Sequence, residues 1–88
     1  MCTMIALKIP VIGGGKGPQG WFTVSEAIVG YDHTTYMKNE HALLLDFVNP
    51  ELEPSARVAV ELDIASGKAL IAQMQAAIDA AERSGVTE

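Results

Sequence analysis

WFTVSEAIVGYDHTTYMKNEHALLLDFV, residues 21–48, decides the fold. Two runs of aliphatic, β-branched and aromatic residues, 21–33 and 41–48, flank the polar stretch TTYMKNE, 34–40. The first run alternates with the period of two of a strand, and the second reads as the next strand. In the first, one phase carries Ala27, Val29, Tyr31 and His33, and the other carries Val24, Glu26, Ile28, Gly30 and Asp32. Both phases are largely apolar near the middle, so both faces of this strand call for cover. Gly30 within the run marks a bulge or the close approach of another backbone. Asn49-Pro50 stops the second run, because proline cannot donate to a ladder. A short polar connection makes the two strands antiparallel neighbours.

Working outward, ELEPSA is a turn and ARVAVELD, 56–63, is a further strand. Its residues Val58, Val60 and Leu62 face one way; Arg57, Ala59 and Glu61 face the other. On the N-terminal side TMIALKIPVI, 3–12, reads as a strand, with Pro10 at an edge or a bulge. GGGKGPQG, 13–20, reads as a flexible loop by composition. After residue 63 the period changes. Ile64, Gly67, Ile71, Met74, Ile78 and Ala81 recur at three- and four-residue steps, joined by Leu70 and Ala77, which predicts an amphipathic helix over 64–84. Asp63 or Ser66 caps its start. Asp79 and Arg83 stand four apart, the spacing of a helical ion pair. Gly85 suits the left-handed cap after the last turn.

The expected fold is α+β: one domain, residues 1–88, with a four-stranded, mainly antiparallel sheet and one C-terminal amphipathic helix packed on one face. The other face keeps apolar side chains in need of cover. Eighty-eight residues bury only about 60–65% of the surface exposed when unfolded, which leaves a thin core. A lone cysteine forms no internal disulfide. Yet the chain is 49% hydrophobic and only 19% charged. The surplus points to an interface, and a homo-oligomer is expected, a dimer or higher.

The net charge is −5, and the six Lys and Arg residues are scattered from Lys8 to Arg83. Phosphate-backbone binding needs clustered cations. Nucleic acid and anionic membranes are therefore not the expected partners. No run approaches the ~20 apolar residues of a membrane span. No stretch has the order of a secretory signal. A free thiol fits a reducing compartment, so the expected location is cytoplasmic.

Chemistry has few places to sit. In GGGKGPQG, Lys16 is followed by glycine and then by a strand, so the loop is no phosphate-binding P-loop. It is either a plain connection or a flap over a small ligand, with Lys16 as anion contact and Trp21 as aromatic wall. Tyr31 and Tyr36 are further pocket candidates, or else core and interface aromatics. The two histidines, His33 and His41, bracket the 34–40 connection. In a hairpin they stand opposite each other, with Cβ atoms roughly 5 Å apart. Two imidazoles plus a carboxylate or thiolate suit zinc, copper, iron or nickel. Asp32 and Glu40 adjoin the histidines but point to the other face unless the backbone leaves β geometry. Cys2 is then the candidate third ligand.

Methionine aminopeptidase generally removes Met1 before a small residue, which would leave Cys2 with both an amine and a thiol, able to chelate or to act as nucleophile. The alternative is a small buried hydrophobe. His33 and His41 can equally be polar residues at a sheet margin, or acid–base groups without a metal. Asp46 and Glu26 lie in apolar phases and need partners; Arg57 is the partner expected for Asp46.

MCTMI at the start, Lys16–Gly17 and Gly20–Trp21–Phe22, Asp32–His33, EHALLLDFVNP at 40–50 and ARVAVEL at 56–62 together resemble a family of small, uncharacterised bacterial proteins of about this length, a domain of unknown function. That resemblance implies a complete small protein and brings no activity with it. A looser layout analogy links the Met-Cys opening, the short β-rich body and the final helix to the HypC-type hydrogenase-maturation chaperones. Those proteins hold iron through that cysteine. Their Ile-Pro follows the cysteine closely, whereas Ile9-Pro10 here comes later, and no iron chemistry is assigned from the analogy. Three function classes remain: a binding protein holding a metal or small ligand near Cys2, His33 and His41; an accessory subunit acting through an apolar surface; and a small enzyme using the histidines as acid and base with Cys2 as nucleophile or ligand.

Overall fold

The computed structural model describes residues 5–86 and residue 88. Four strands, β1 (Ile5–Gly17), β2 (Gly20–His33), β3 (His41–Val48) and β4 (Arg57–Leu62), precede one helix, α1 (Ile64–Ser84). The sheet is an antiparallel meander in the order β1-β2-β3-β4. The α+β architecture is the one expected.

The register sorts the side chains into two faces. Ile5, Tyr31, Leu43 and Leu62 form one cross-strand row; Leu7, Val29, Leu45 and Val60 form the next; Ile9, Ala27, Phe47 and Val58 form the third. These rows make an apolar face. Lys8, Ile28, Asp46 and Ala59 make a row of the opposite, mixed face.

The glycine-rich segment differs from its expected loop. β1 continues to Gly17, paired with Gly20, and Pro18-Gln19 alone make the turn. Backbone groups build a ladder whether or not side chains accompany them, and the long alternating β2 offers a partner to every glycine. Gly20 closes the turn at φ 107°, where L side chains are strained. The register shifts between Pro10 and Gly13, so Pro10 lies both in the edge strand and at a bulge. The bulge carries the hairpin tip across the apolar face. A Cβ on Gly15 would lie 2.9 Å from Val24 and 3.3 Å from Val58, so the bare strand fits where a side chain would not. Val24 and Ala27 are both buried although three residues apart, a spacing that a regular strand divides between its faces.

Asp63 caps α1 by accepting the Ser66 N–H at 2.8 Å, and Gly85 closes it at φ 75°. Hydrogen bonds from Ser66, first from its side chain and then from its backbone N–H, hold the Asp63 pKa below its ordinary value. Asp79 accepts from Gln75 Nε2 at 2.9 Å instead of pairing with Arg83. The helix meets the sheet through its first turn, where buried Gly67 stands so close to Leu43 that a Cβ would overlap its Cδ1. The expected cover of one face is therefore present at that turn only. Beyond it Leu70, Ile71, Met74 and Ile78 are exposed, as are Leu7 and Ile9 on the sheet. Among the described residues, no side chain of large volume is fully buried. No helix in this part of the chain is long and apolar enough to cross a membrane.

Candidate functional site: a cross-strand histidine pair

His33 and His41 are the last paired residues at the end of the β2–β3 hairpin. Their rings stand 4.5 Å apart between centroids, tilted by 33°. Tyr31 lies on the same face, stacked on His41 at 6.0 Å and 19°. His33 is exposed and His41 half-buried. Sequence alternation alone places these three together, since Tyr31 and His33 share a phase and the hairpin aligns His41 with them.

One flanking carboxylate is turned to other work. Asp32 accepts the backbone N–H of His33 at 2.7 Å. The 34–40 connection is ordered by Thr34, whose Oγ1 donates to the carbonyls of Met37 at 3.0 Å and Asn39 at 2.5 Å. Its outer side is held by Glu61 of β4. Glu61 Oε2 accepts the Thr35 N–H at 2.6 Å, and Oε1 accepts those of Tyr36 at 3.0 Å and Met37 at 2.9 Å. Donors aimed at the charged form hold the Glu61 pKa below its ordinary value, Met37 most and then Thr35, with desolvation opposing them and Tyr36 adding to them. No side-chain pattern announces this contact, because all three donors are backbone groups about 25 residues away in sequence.

Among the described residues, no group of three or more His, Cys, Asp or Glu side chains stands ready to hold a metal ion. The histidine pair supplies two donors. Cys2 lies outside the described residues.

The small-ligand candidates divide among three places. Lys16 and Trp21 are direct cross-strand partners and line a cleft of about 440 Å³ with Val24, Phe47 and Val58. Tyr31 lines a shallow hollow on the apolar face with Leu7, Leu43 and Ile64. Tyr36 stands on the connection beside Glu61, almost wholly exposed.

Asp46 finds its expected partner. Arg57 donates to Asp46 Oδ1 from Nε at 2.7 Å and approaches it with Nη2 at 2.6 Å. The Arg57 side chain is more than half exposed. Solvent screens such a pair, so Asp46→Ala is expected to cost less than about 1 kcal/mol in urea unfolding. A cost above about 3 kcal/mol would mean a desolvated pair and contradict this account.

The family model described as a family of unknown function (DUF6295) matches residues 1–87. The chain belongs to DUF6295. Membership fits the resemblance carried by the MCTMI, EHALLLDFVNP and ARVAVEL segments. It assigns no activity, so the chemistry of this DUF6295 chain rests on the site itself. No curated protein matches the chain, and no solved structure does.

Proposed function

We propose that the protein is a small binding protein that holds one transition-metal ion between His33 and His41, with the Cys2 thiolate as third ligand. The observation that carries this reading is the facing pair of imidazoles. Two nitrogens bound to a tetrahedral Zn²⁺ stand roughly 3.3 Å apart. Rings with centroids 4.5 Å apart can present one nitrogen each at that separation. The reach of the N-terminus supports the third ligand. Ile5 pairs with Tyr31, which stacks on His41. Cys2 is three residues before Ile5, a tether of at most about 11 Å. A reducing cytoplasm would keep that thiol available.

The test is titration of the full chain with Zn²⁺ alone, read by calorimetry and by native mass. The wild type should take about one ion per chain. His33→Ala and His41→Ala should each weaken binding by about 100-fold or more, and Cys2→Ser by at least about tenfold. Unchanged circular dichroism melts would separate ligand loss from unfolding. Wild-type affinity in either histidine variant would remove the pair from the site. Wild-type affinity in Cys2→Ser would make the cysteine a packing residue.

A further inference from the structure

We infer that two copies of this chain form a C2 dimer in which α1 of each lies along the apolar sheet face of the other. The inference is independent of the metal site. It starts from two unpartnered surfaces of the same chemistry. On α1, Ile64, Gly67, Ile71, Met74 and Ile78 follow an alternating three- and four-residue spacing, and Leu70 widens the stripe. On the sheet, Ile5, Leu7, Ile9 and Val29 stand in adjacent rows. Ile71 is 70% exposed and Leu7 66%.

Beyond the first turn of α1, the chain's own geometry keeps these surfaces apart. After Gly67 the helix runs on for about 26 Å with its stripe unburied. The molecule measures 47 × 32 × 20 Å. Its radius of gyration is 14.8 Å, where a compact domain of this length has about 12 Å. A single copy is thus a sheet with an arm.

A second copy fits both surfaces at once. The exposed parts of the nine residues on the two surfaces, Ile64 and Leu70 included, amount to about 900 Å² per chain. A standard interface takes roughly 800 Å² from each partner. Ile5 to Ile9 spans about 14 Å along β1, and Ile71 to Ile78 about 11 Å along α1, so the patches match in length. None of these residues is charged, so a net charge of −5 per chain does not fall on the contact. Pairing the two helices with each other would leave Leu7, Ile9 and Val29 in water. Exchange of arms makes helix-on-sheet contact twice, as an isologous interface requires.

The experiment mixes isotope-labelled and unlabelled full-length chains in equal amounts and records isotope-filtered nuclear Overhauser contacts, with sedimentation equilibrium on the same sample. A dimer is expected, with intermolecular contacts between methyls of Leu7 or Ile9 and those of Ile71, Met74 or Ile78. Ile71→Asp should raise the dissociation constant by about 100-fold or more. A monomer would overturn the proposal. So would a dimer whose intermolecular contacts run only from helix to helix, or one that leaves the β1 methyls without any. Zn²⁺ binding is read separately, so failure here leaves the histidine site standing.

Discussion

Gly30→Ala will destabilise the protein by about 2 kcal/mol, which for a domain of this size lowers the melting temperature by roughly 8–16 °C. Gly30 is buried in the central strand β2, between Ala6 of β1 and Leu44 of β3. It is not among the glycines with positive φ, so the demand on it is one of space. A Cβ there would sit 2.5 Å from the carbonyl oxygen of Ile5. That neighbour is backbone and belongs to the ladder, so relief means moving β1 as a whole. Overpacking of this kind costs about 1–3 kcal/mol. The gain from removing a glycine in a strand returns about 0.5–1 kcal/mol and does not reverse the sign. Gly13 is the control. A Cβ there meets nothing within 4 Å, and its φ is not positive. Gly13→Ala should therefore be neutral or stabilise by up to about 1 kcal/mol. Urea melts of both variants at one protein concentration decide it, because any self-association would make stability depend on concentration. Equal stability of the two variants would rule out close approach of β1 as the reason for Gly30.

The same residue shows what a sequence discloses and what it withholds. That Gly30 mattered was legible, since a residue without a side chain weakens the middle of a strand unless a neighbour needs the space. The facing of His33 and His41 was legible too, because a period of two and a short polar connection leave the hairpin little freedom. Asp46 and Arg57 share a face on adjacent strands, so their pairing follows from phase alone. The glycine run at 13–17 was not legible as strand. Without side chains a periodic pattern has nothing to act on, and the register there is imposed by β2. The contact of Glu61 with the connection was hidden for a related reason, since backbone N–H groups are the same at every residue but proline. For α1 the spacing named the apolar stripe correctly. A stripe states which side seeks cover and leaves open which surface supplies it, and Gly67 against Leu43 accounts for one turn only.

Glu61→Ala will release the connection that joins the two histidines. Three consecutive N–H groups, Thr35, Tyr36 and Met37, converge on one carboxylate. Removing it leaves all three to solvent, and their hydrogen exchange should accelerate by about tenfold or more while the β2–β3 ladder keeps its protection. Glu61→Gln separates the two oxygens. One carbonyl oxygen can still serve Tyr36 and Met37, which share Oε1, so Thr35 should be the amide that loses most. Acidity gives the same account a second test. The folded-state pKa of Glu61 is lowered from the ordinary 4.5. A carboxyl so shifted stabilises the fold in full above about pH 4.5 and loses that contribution as the pH falls through its lower folded-state value. Protection of the three amides should thus hold from neutral pH down to about 4.5 and decline below it. In Glu61→Gln that decline should vanish. If Glu61→Ala leaves the amides as slow as in the wild type, Thr34 alone orders the connection. Its hydroxyl donates to the carbonyls of Met37 and Asn39, so Thr34→Val would then show the loss that Glu61→Ala did not.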